Sequence, residues 1–170
     1  MEEKNNLPGK KINISTQKLL GGIGLLISPL SAIPFLGVIF WIASGILLLV
    51  SFNQLSKTLN KPDMFKKYLT GFIIGFVSYI VLYVIGFILL VFTLIPAYIV
   101  SIIVAYFYKQ AYDMLANALN HKLFSKGAIL MFIGAITTII LVGFILLFVG
   151  WIMLVVAFFT APEEVEANNS

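Results

Sequence analysis

The sequence predicts an all-α membrane protein, a polytopic helical bundle of six transmembrane helices arranged as three hairpins, within a range of four to six. Of its 170 residues, 61% are hydrophobic and 11% are charged, whereas a soluble domain is about 45–50% apolar and about 25% charged. No charged residue interrupts three blocks, Leu19–Phe52, Tyr68–Tyr108 and Gly127–Pro162. Long uncharged apolar blocks of this kind are typical of segments that lie in the lipid bilayer and not in water.

The number of crossings follows from the length of the blocks and from the lysines between them. One perpendicular helix needs about 20 residues to cross the hydrocarbon, and each block is long enough for two helices joined by a tight turn. Single crossings would divide the 11 lysines between both sides of the membrane, whereas hairpins place all of them on one side. The positive-inside bias favours hairpins. We therefore expect a multi-pass protein of the cell membrane with both termini in the cytoplasm.

Each block contains a candidate break between its two helices. In the first block, Pro29 and Pro34 mark a turn because proline removes a backbone donor and restricts the residue before it. The helix before this turn, Ser15–Ser28, is short enough to be either a crossing or a re-entrant segment. In the second block, Pro96 suits the first turn of a new helix. The third block has no proline, and its break is expected near Gly143.

The charge pattern divides the chain into three regions. Residues 1–17 are expected to form a polar cytoplasmic tail, and residues 163–170 an acidic, disordered tail. The transmembrane helical domain covers residues 18–162, with hairpins at about 18–56, 67–120 and 124–161.

An internal repeat relates the ends of the first two hairpins. The segment Leu55–Lys61 reads Leu-x-x-x-Leu-Asn-Lys, and Leu115–His121 reads Leu-x-x-x-Leu-Asn-His. The next residues, Met64–Lys67, match Leu123–Lys126 one residue out of step, which gives a period a little under about 60 residues. Hairpins repeated in parallel orientation indicate pseudo-symmetry.

Small and hydroxyl-bearing residues at helical spacing form the candidate site inside the bundle. They lie on the third and fourth helices and comprise Gly71, Gly75, Tyr79, Tyr83, Tyr98 and Ser101. Glycines four residues apart let two helix backbones approach closely, and hydroxyl groups can bond across the seam. These residues can pack the two helices together or line a path for a solute, and packing is the more common use.

Seven lysines flank the apolar blocks and are candidates for contact with lipid headgroups: Lys18, Lys57, Lys66, Lys67, Lys109, Lys122 and Lys126. The expected partner is a bilayer with anionic headgroups, where each such lysine contributes on the order of 1 kcal/mol. Because arginine is absent and the lysines flank the apolar blocks, no nucleic-acid partner is expected. The candidate protein partners are a second copy of this chain and another membrane protein.

The remaining polar residues argue against catalysis and metal binding. All seven acidic residues lie outside the apolar blocks, whereas ion-coupled transporters and pumps place ionisable groups within the bilayer. The chain has no cysteine and a single histidine, His121, so it cannot assemble a thiolate or histidine metal site by itself. We therefore expect no catalytic residues, no cofactor and no metal.

Three segments carry a resemblance to a known family: Leu55–Leu59, the helix start Phe65–Lys67, and Gly134–Leu147 with its continuation to Phe159. They resemble the family called domain of unknown function 996, which consists of small, mostly archaeal integral membrane proteins. The resemblance covers nearly everything from Lys18 to Pro162 and implies a prokaryotic membrane setting. That family has no assigned activity, so the resemblance implies no catalytic or binding residues.

Three functional hypotheses follow. The first is a non-enzymatic structural, assembly or accessory subunit, because the interior is uncharged and small-residue faces can also mediate contacts between proteins. The alternative is a channel or uniporter for a small neutral or lipophilic solute, since a hydroxyl-lined path needs no charges. The remote third is a lipid-modifying enzyme, for which Asp63, Asp113, His121, the lysines and scattered hydroxyls are the interfacial groups available.

Overall fold

Six α-helices and a two-stranded β-ribbon make up the part of the chain that the structure describes. The structure is a computed structural model that describes residues 11–33, 36–86 and 94–166, with side chains for all of these except 83–86 and 166. The helices are α1 Ser15–Ile27, α2 Gly37–Thr58, α3 Pro62–Gly86, α4 Leu94–Ala118, α5 Leu123–Ile136 and α6 Leu141–Thr160. A 3-10 helix covers Ser28–Ala32, and the strands are β1 Lys11–Asn13 and β2 Glu164–Glu166.

The six helices form a ring in the order of the sequence. Each helix packs against the next one along the chain, and α6 returns to pack against α1. The contacts within the pairs α1–α2, α3–α4 and α5–α6 are more extensive than the contact between α2 and α3. The predicted all-α, polytopic architecture of six helices is confirmed.

Four helices in the described residues are long and apolar enough to cross a membrane. These are α2, α4 and α6 over their full lengths and α3 over Pro62–Leu82. By contrast, α1 has 13 residues and α5 has 14. At about 1.5 Å per residue, both are only about 20 Å long, against roughly 30 Å of hydrocarbon. The number of helices of spanning length is therefore at the lower limit of the predicted range.

The end of α1 is set by a proline and by several donors to the carbonyl of Leu25 in its last turn. Pro29 lies in the first turn of the 3-10 helix that follows α1. The carbonyl of Leu25 accepts hydrogen bonds from Ser28 Oγ at 2.8 Å and from Trp151 Nε1 of α6 at 2.9 Å. The last carbonyls of a helix lack partners within the helix, and in an apolar medium they need such donors. The predicted first break is thus found at its expected place, while Pro34 lies outside the described residues.

The break between α5 and α6 lies at Thr137–Ile140 and not near Gly143, so that expectation is wrong by several residues. The hydroxyls of Thr137 and Thr138 donate at 2.8 and 2.7 Å to carbonyls in the last turn of α5, which satisfies that helix end locally. Gly143 lies in the first turn of α6, where an added Cβ would collide with the backbone of Thr137. The glycine permits a close approach and does not mark the turn.

Paired glycines bring α5 and α6 close together. Gly127 faces Gly150, and Gly134 faces Gly143, so the two pairs are spaced seven residues apart on both helices. A Cβ added to Gly150 would lie 2.8 Å from the Gly127 carbonyl oxygen, and one added to Gly134 would lie 3.0 Å from that of Gly143. This is the close backbone approach that small residues allow in helix pairs within membranes.

Serines at the same spacing join α1 to α2. Ser44 Oγ donates to the Gly24 carbonyl and Ser51 Oγ to the Gln17 carbonyl, both at 2.7 Å. Both serines are buried. Each hydroxyl therefore bonds across the helix pair and leaves no unpaired donor in the interior.

The predicted repeat is present as two matching helix ends. Asn60 and Asn120 follow α2 and α4 with φ of 51° and 50°, the left-handed conformation of a Schellman cap. The bonds that close these caps are 2.8 and 2.9 Å long. Met64 and Phe124 then occupy equivalent buried places at the starts of α3 and α5. The repeat stays in step through this point, so the predicted match of Phe65 to Phe124 is one residue off.

The C-terminal ends of α2, α4 and α6 meet in a cluster of aromatic side chains. Phe52, Tyr112 and Phe158 come from these three helices, with ring centroids 5.2 to 6.3 Å apart. Tyr68 of α3 stacks on Phe52 at 4.0 Å, and Phe124 of α5 meets Phe158 edge to face at 4.9 Å. All five side chains are buried. We call this cluster the aromatic layer.

The segments before α1 and after α6 pair with each other as an antiparallel ribbon. The partners are Lys11 with Glu166, Ile12 with Val165, and Asn13 with Glu164. The pairing continues into the core, where the backbone of Ile14 donates to the Glu163 carbonyl at 2.8 Å. Glu164–Glu166 is therefore a paired strand and not part of a disordered tail, and α1 begins within the expected N-terminal tail. Residues 1–10 and 167–170 lie outside the described residues.

The two ends of the ring differ in burial. The end with the aromatic layer, the ribbon and the described lysines is called the lysine end, and it contains most of the fully buried side chains. The opposite end, with Ser28–Ala32 and Thr137–Ile140, is called the turn end. Its apolar side chains are exposed, as in Ile95 at 70% and Leu141 at 83%.

Candidate functional site: a cavity inside the helix ring

A cavity of about 540 Å³ lies inside the ring. Every helix contributes to its wall, with side chains that include Leu25, Ser44, Phe72, Ala105, Ala135 and Leu147. Small-molecule sites in proteins are typically about 300–1,000 Å³ in volume and mostly apolar. The cavity is therefore the candidate functional site of this fold.

The cavity is closed at the lysine end and open toward the turn end. Along α3, the exposed fraction of the lining side chains rises from 3% at Tyr68 to 40% at Phe76 and 54% at Tyr79. The aromatic layer, to which Tyr68 and Tyr112 both belong, forms the closed end. Within the residues that the structure describes, the cavity is therefore closed at the lysine end.

The two glycines of the predicted stripe have different surroundings. A Cβ on Gly71 would lie 3.0 Å from the ring of Tyr108 and 3.1 Å from Cβ of Phe107, so this glycine packs α3 against α4. A Cβ on Gly75 would lie 3.6 Å from Val104, at ordinary contact distance, and Gly75 also lines the cavity. The stripe therefore serves packing at one glycine and the cavity wall at the other.

Aromatic side chains surround the open part of the cavity. Trp41 of α2 stacks on Phe76 with the ring centroids 5.6 Å apart and the planes 3° from parallel. Tyr79 lies against the same indole at 5.3 Å. The predicted site residue Tyr79 thus belongs to the cavity wall, while the side chain of Tyr83 lies outside the described residues.

The predicted stripe on α4 joins that helix to α5. The hydroxyl of Tyr98 donates to the carbonyl of Ile136, the last residue of α5. Ser101 lines the cavity, and its hydroxyl donates to the Tyr98 carbonyl at 2.7 Å. The structure therefore brings Gly75, Tyr79 and Ser101 together at the cavity, whereas Tyr98 packs helices.

The aliphatic hydroxyls in the cavity wall have their donors occupied. Ser28, Ser44, Ser101 and Thr138 each donate to a backbone carbonyl at 2.7 to 2.8 Å. A hydroxyl bonded in this way presents its methylene or methyl group and a weak acceptor to the space beside it. The middle of the cavity is consequently apolar even where serine and threonine side chains line it.

The closed end of the cavity is more polar. Tyr68, Tyr108 and Tyr112 line it, with the Tyr68 ring centroid 4.8 Å from that of Tyr108 and 6.3 Å from that of Tyr112. Within the described residues, the hydroxyls of these tyrosines form no hydrogen bond. They are also not fully enclosed by protein atoms, since the fully enclosed side-chain atom without a partner in this part of the chain is His121 Nδ1. The tyrosine hydroxyls are therefore open to the cavity that they line.

Lys109 provides the charged group of the cavity wall. Its ammonium group lies 2.6 Å from Asp113 Oδ2, and the other carboxylate oxygen of Asp113 accepts a 2.6 Å bond from Ser125 of α5. The side chains of Lys109 and Asp113 are each 28% exposed. This pair carries no net charge and joins α4 to α5. It gives Lys109 a role inside the fold beside the predicted contact with headgroups.

Lys18 has a role other than the predicted headgroup contact. Its ammonium group donates to the carbonyl of Ala161 at 2.7 Å and lies 3.5 Å from Glu163, and its side chain is 12% exposed. The lysine thus caps the C-terminal end of α6, where a cation is favoured by the helix dipole.

The other predicted headgroup lysines are more open. Lys66 pairs with Asp63 at 3.2 Å on the surface, and Lys67 lies 5.7 Å from the ring centroid of Phe107. Lys57, Lys122 and Lys126 are exposed and have no partner in the part of the chain that the structure describes. The last three are the lysines most available to a lipid surface.

Groups with metal-binding or acid–base chemistry are dispersed. In residues 11–33, 36–86 and 94–166, no three His, Cys, Asp or Glu side chains form a group that could hold a metal ion. His121 packs against Phe124 at the lysine end, with Nε2 3.2 Å from the Thr160 hydroxyl. It lies apart from the lining residues of the cavity.

Sequence reasoning missed the aromatic half of the cavity wall. Tyr68, Phe72 and Phe76 line the cavity and recur every four residues on α3. This spacing is the same as that of Gly71 and Gly75. An aromatic stripe beside a glycine stripe was therefore the available signal. Helical spacing alone does not distinguish a stripe that faces a cavity from one that faces another helix.

The ring, its four helices of membrane-spanning length and its cavity define a polytopic all-α protein. Comparison with known proteins gives the family. The pattern of the family described as protein of unknown function (DUF996) matches residues 82–152. Uncharacterized protein MJ1644 of Methanocaldococcus jannaschii is 30% identical over 177 aligned positions, which cover 94% of this chain and 99% of the relative. The chain belongs to the DUF996 family, as its resemblance predicted. No solved structure matches it.

Proposed function

We propose that this chain is an integral protein of the cell membrane that acts as a non-enzymatic structural, assembly or accessory subunit. The supporting observation is the exposed apolar surface of the turn end. On α6, the exposed fractions are 83% for Leu141, 62% for Ile145 and 60% for Phe148. A continuous apolar surface of this kind needs lipid or another membrane protein to cover it.

The lysine end is proposed to face the cytoplasm. All described lysines lie at that end, and the positive-inside bias favours lysine on the cytoplasmic side. The ribbon between β1 and β2 supports the same side for both termini, because it joins the segment before α1 to the segment after α6.

The polar groups support a role without catalysis. Asp113, the carboxylate paired with the lining residue Lys109, is also bound by Ser125. The serine and threonine hydroxyls of the wall donate to backbone carbonyls. A nucleophile needs a free base beside it, and these groups are instead used to hold the helices together.

Sidedness is tested by single-cysteine labelling, which the absence of native cysteine makes simple. An impermeant maleimide should label Asn117→Cys at the lysine end only after the cytoplasmic face is opened. It should label Ile139→Cys at the turn end in intact cells. The reverse pattern would refute the proposed orientation, and labelling of both from one side would refute the hairpin crossings.

The accessory role is tested by native mass spectrometry of the chain extracted gently from its own membrane. A second polypeptide in fixed stoichiometry supports an accessory subunit, and a defined homo-oligomer supports a structural assembly. A monomer that captures no partner even after crosslinking contradicts both.

The cavity favours a second candidate, a uniporter or channel for a small neutral or lipophilic solute. Its wall combines apolar side chains with the predicted residues Gly75 and Ser101. In vesicles, Gly75→Leu and Ser101→Leu should abolish solute flux, whereas Ile99→Leu on the exposed face of α4 should not. Unchanged flux in folded Gly75→Leu protein would exclude this function.

A further inference from the structure

We infer that the cavity binds one molecule of a neutral single-chain lipid, with its polar head at Tyr68, Tyr108 and Tyr112 and its chain directed toward the turn end. This inference goes beyond the proposed function, because it requires neither a protein partner nor transport. It follows from three properties of the cavity: its unpaired hydroxyls, its charge and its shape.

The hydroxyls provide recognition of a polar head. Tyr68 and Tyr112 are 3% and 4% exposed, yet their hydroxyls have no partner in the described part of the chain and open onto the cavity. A hydroxyl that faces an apolar cavity without a protein partner costs free energy that a ligand group can recover by hydrogen bonding. A phenol both donates and accepts, so an alcohol or an ester carbonyl can bond to it.

The charge of the site favours a head without net charge. Lys109 is the charged side chain among the described lining residues, and Asp113 compensates it at 2.6 Å. A carboxylate head would enter an apolar space beside an existing carboxylate and without a free cation. Burying such a charge is costly unless it is paired. Neutral heads, such as those of monoacylglycerols, avoid this cost.

The shape of the site suits one chain. The wall between the two ends is apolar and aromatic, as at Phe72, Leu48 and Met131. The lining side chains change from buried at the lysine end to exposed at the turn end. A single-chain lipid can therefore enter at the turn end, where the apolar helix surfaces are exposed. Its head then lies at the closed end, and its acyl chain extends toward the opening.

The two tryptophans of the chain provide an internal test. Trp41 lines the cavity, whereas Trp151 lies outside its wall and bonds to Leu25. In detergent micelles, a dibrominated monostearoylglycerol should quench Trp41 saturably in the Trp151→Phe protein. It should quench Trp151 weakly and without saturation in the Trp41→Phe protein. Parallel, unsaturable quenching of both would mean partition into the micelle alone and would overturn the inference.

Variants of the wall test where the head and the chain bind. Ala105→Phe should remove the saturable quenching by filling the cavity. Tyr112→Phe should weaken it about fivefold through the loss of one hydrogen bond. The matched control is Tyr106→Phe, because Tyr106 is on the same helix, 49% exposed and absent from the cavity wall. Equal affinity for the two tyrosine variants would refute the assignment of the head.

Competition tests the charge. Unbrominated monoolein should displace the probe at least about tenfold more effectively than oleate, which has the same chain and a carboxylate head. Asp113→Asn leaves Lys109 uncompensated and should shift this preference about tenfold toward oleate. Equal displacement by the two lipids would overturn the inference that the site prefers a neutral head.

A measurement on the unmodified chain covers the case in which Trp151→Phe does not fold. Native mass spectrometry with equal amounts of monoolein and oleate should show one retained monoolein per chain. Retention of oleate, or of several lipids in a graded series, would contradict the inference.

Discussion

The lysine end and the turn end of the ring are held together by different means. At the lysine end, five aromatic rings from five helices are buried against each other, two asparagine caps close α2 and α4, and a ribbon joins the two outer segments. At the turn end, apolar side chains such as Ile139, 77% exposed, have no such cover. The lysine end is therefore stabilised by contacts among its own side chains, whereas the turn end leaves its apolar side chains exposed.

This difference separates the closely packed end of the ring from the end at which the cavity opens. A packed layer is rigid and closes the cavity, because close-packed interiors leave few voids. The opposite end is less tightly packed, and there the cavity opens. The ring thus combines a closely packed lysine end with a turn end at which the cavity opens.

The largest expected effect comes from removing one ring of the aromatic layer. Phe158→Ala should lower the free energy of unfolding in detergent by about 3–5 kcal/mol, because a fully buried side chain leaves a cavity. The matched control on the same helix is Phe144→Ala, where the side chain is 58% exposed at the turn end. This change should cost less than about 1 kcal/mol. Equal losses in denaturation curves would show that the two ends are alike.

Lys18 tests whether the lysine end is closed by its own polar groups. Lys18→Met removes the 2.7 Å bond to the Ala161 carbonyl and should cost about 1.5–3 kcal/mol. Lys57→Met, at an exposed lysine without a partner in the described residues, should change stability by less than about 0.5 kcal/mol. Denaturation under identical conditions measures both. A neutral Lys18→Met would return Lys18 to the role of a headgroup contact.

Two glycines compare the tight pair α5–α6 with the wider cavity wall. Gly150→Ala places a Cβ 2.8 Å from the Gly127 carbonyl oxygen and should cost about 1–3 kcal/mol. Gly75→Ala meets Val104 at 3.6 Å and should be neutral or stabilising by up to about 1 kcal/mol, since alanine is the better helix former. Thermal unfolding monitored by circular dichroism separates the two. Destabilisation by Gly75→Ala would mean that the wall near the cavity is as tight as the pair α5–α6.

The smallest effect concerns the asparagine caps of the lysine end. Asn120 has φ of 50°, so Asn120→Ala should cost about 1 kcal/mol through strain in the left-handed region. Asn120→Gly should cost less, because glycine adopts this conformation freely. The midpoints of denaturation of the two variants are compared. An Asn120→Ala variant that is more stable than Asn120→Gly would contradict the role of Asn120 as a left-handed helix cap.

Parts of the fold were predictable because they depend on local chemistry. The uncharged blocks gave the six helices, Pro29 marked the first break, and the repeated Leu-x-x-x-Leu-Asn pattern indicated two equivalent helix ends. The break after α5 was misplaced because Thr137 and Thr138 end a helix by side-chain bonds, a weaker signal than proline or glycine. The paired strand after α6 was missed because three residues carry too little pattern to predict a ribbon.

The candidate site was predictable only in part. The seam residues were expected either to pack helices or to line a path; in the structure Gly75, Tyr79 and Ser101 meet at the cavity, whereas Gly71 and Tyr98 pack helices. Helical spacing places residues on one face, and it does not tell whether that face meets another helix or an open space. The charged lysine in the wall was likewise assigned to the surface.

By itself, the sequence determined the apolar, helical character of this chain, the order of its helices and the end that carries its lysines. These properties depend on composition and on distances of a few residues, which the chain contains directly. The tertiary structure alone decided that the helices close into a ring and that three helix ends share an aromatic layer. It also decided that tyrosine hydroxyls from α3 and α4 lie beside a cavity without a hydrogen-bond partner among the described residues. Such features arise from contacts between residues far apart in the chain, and no local pattern specifies them.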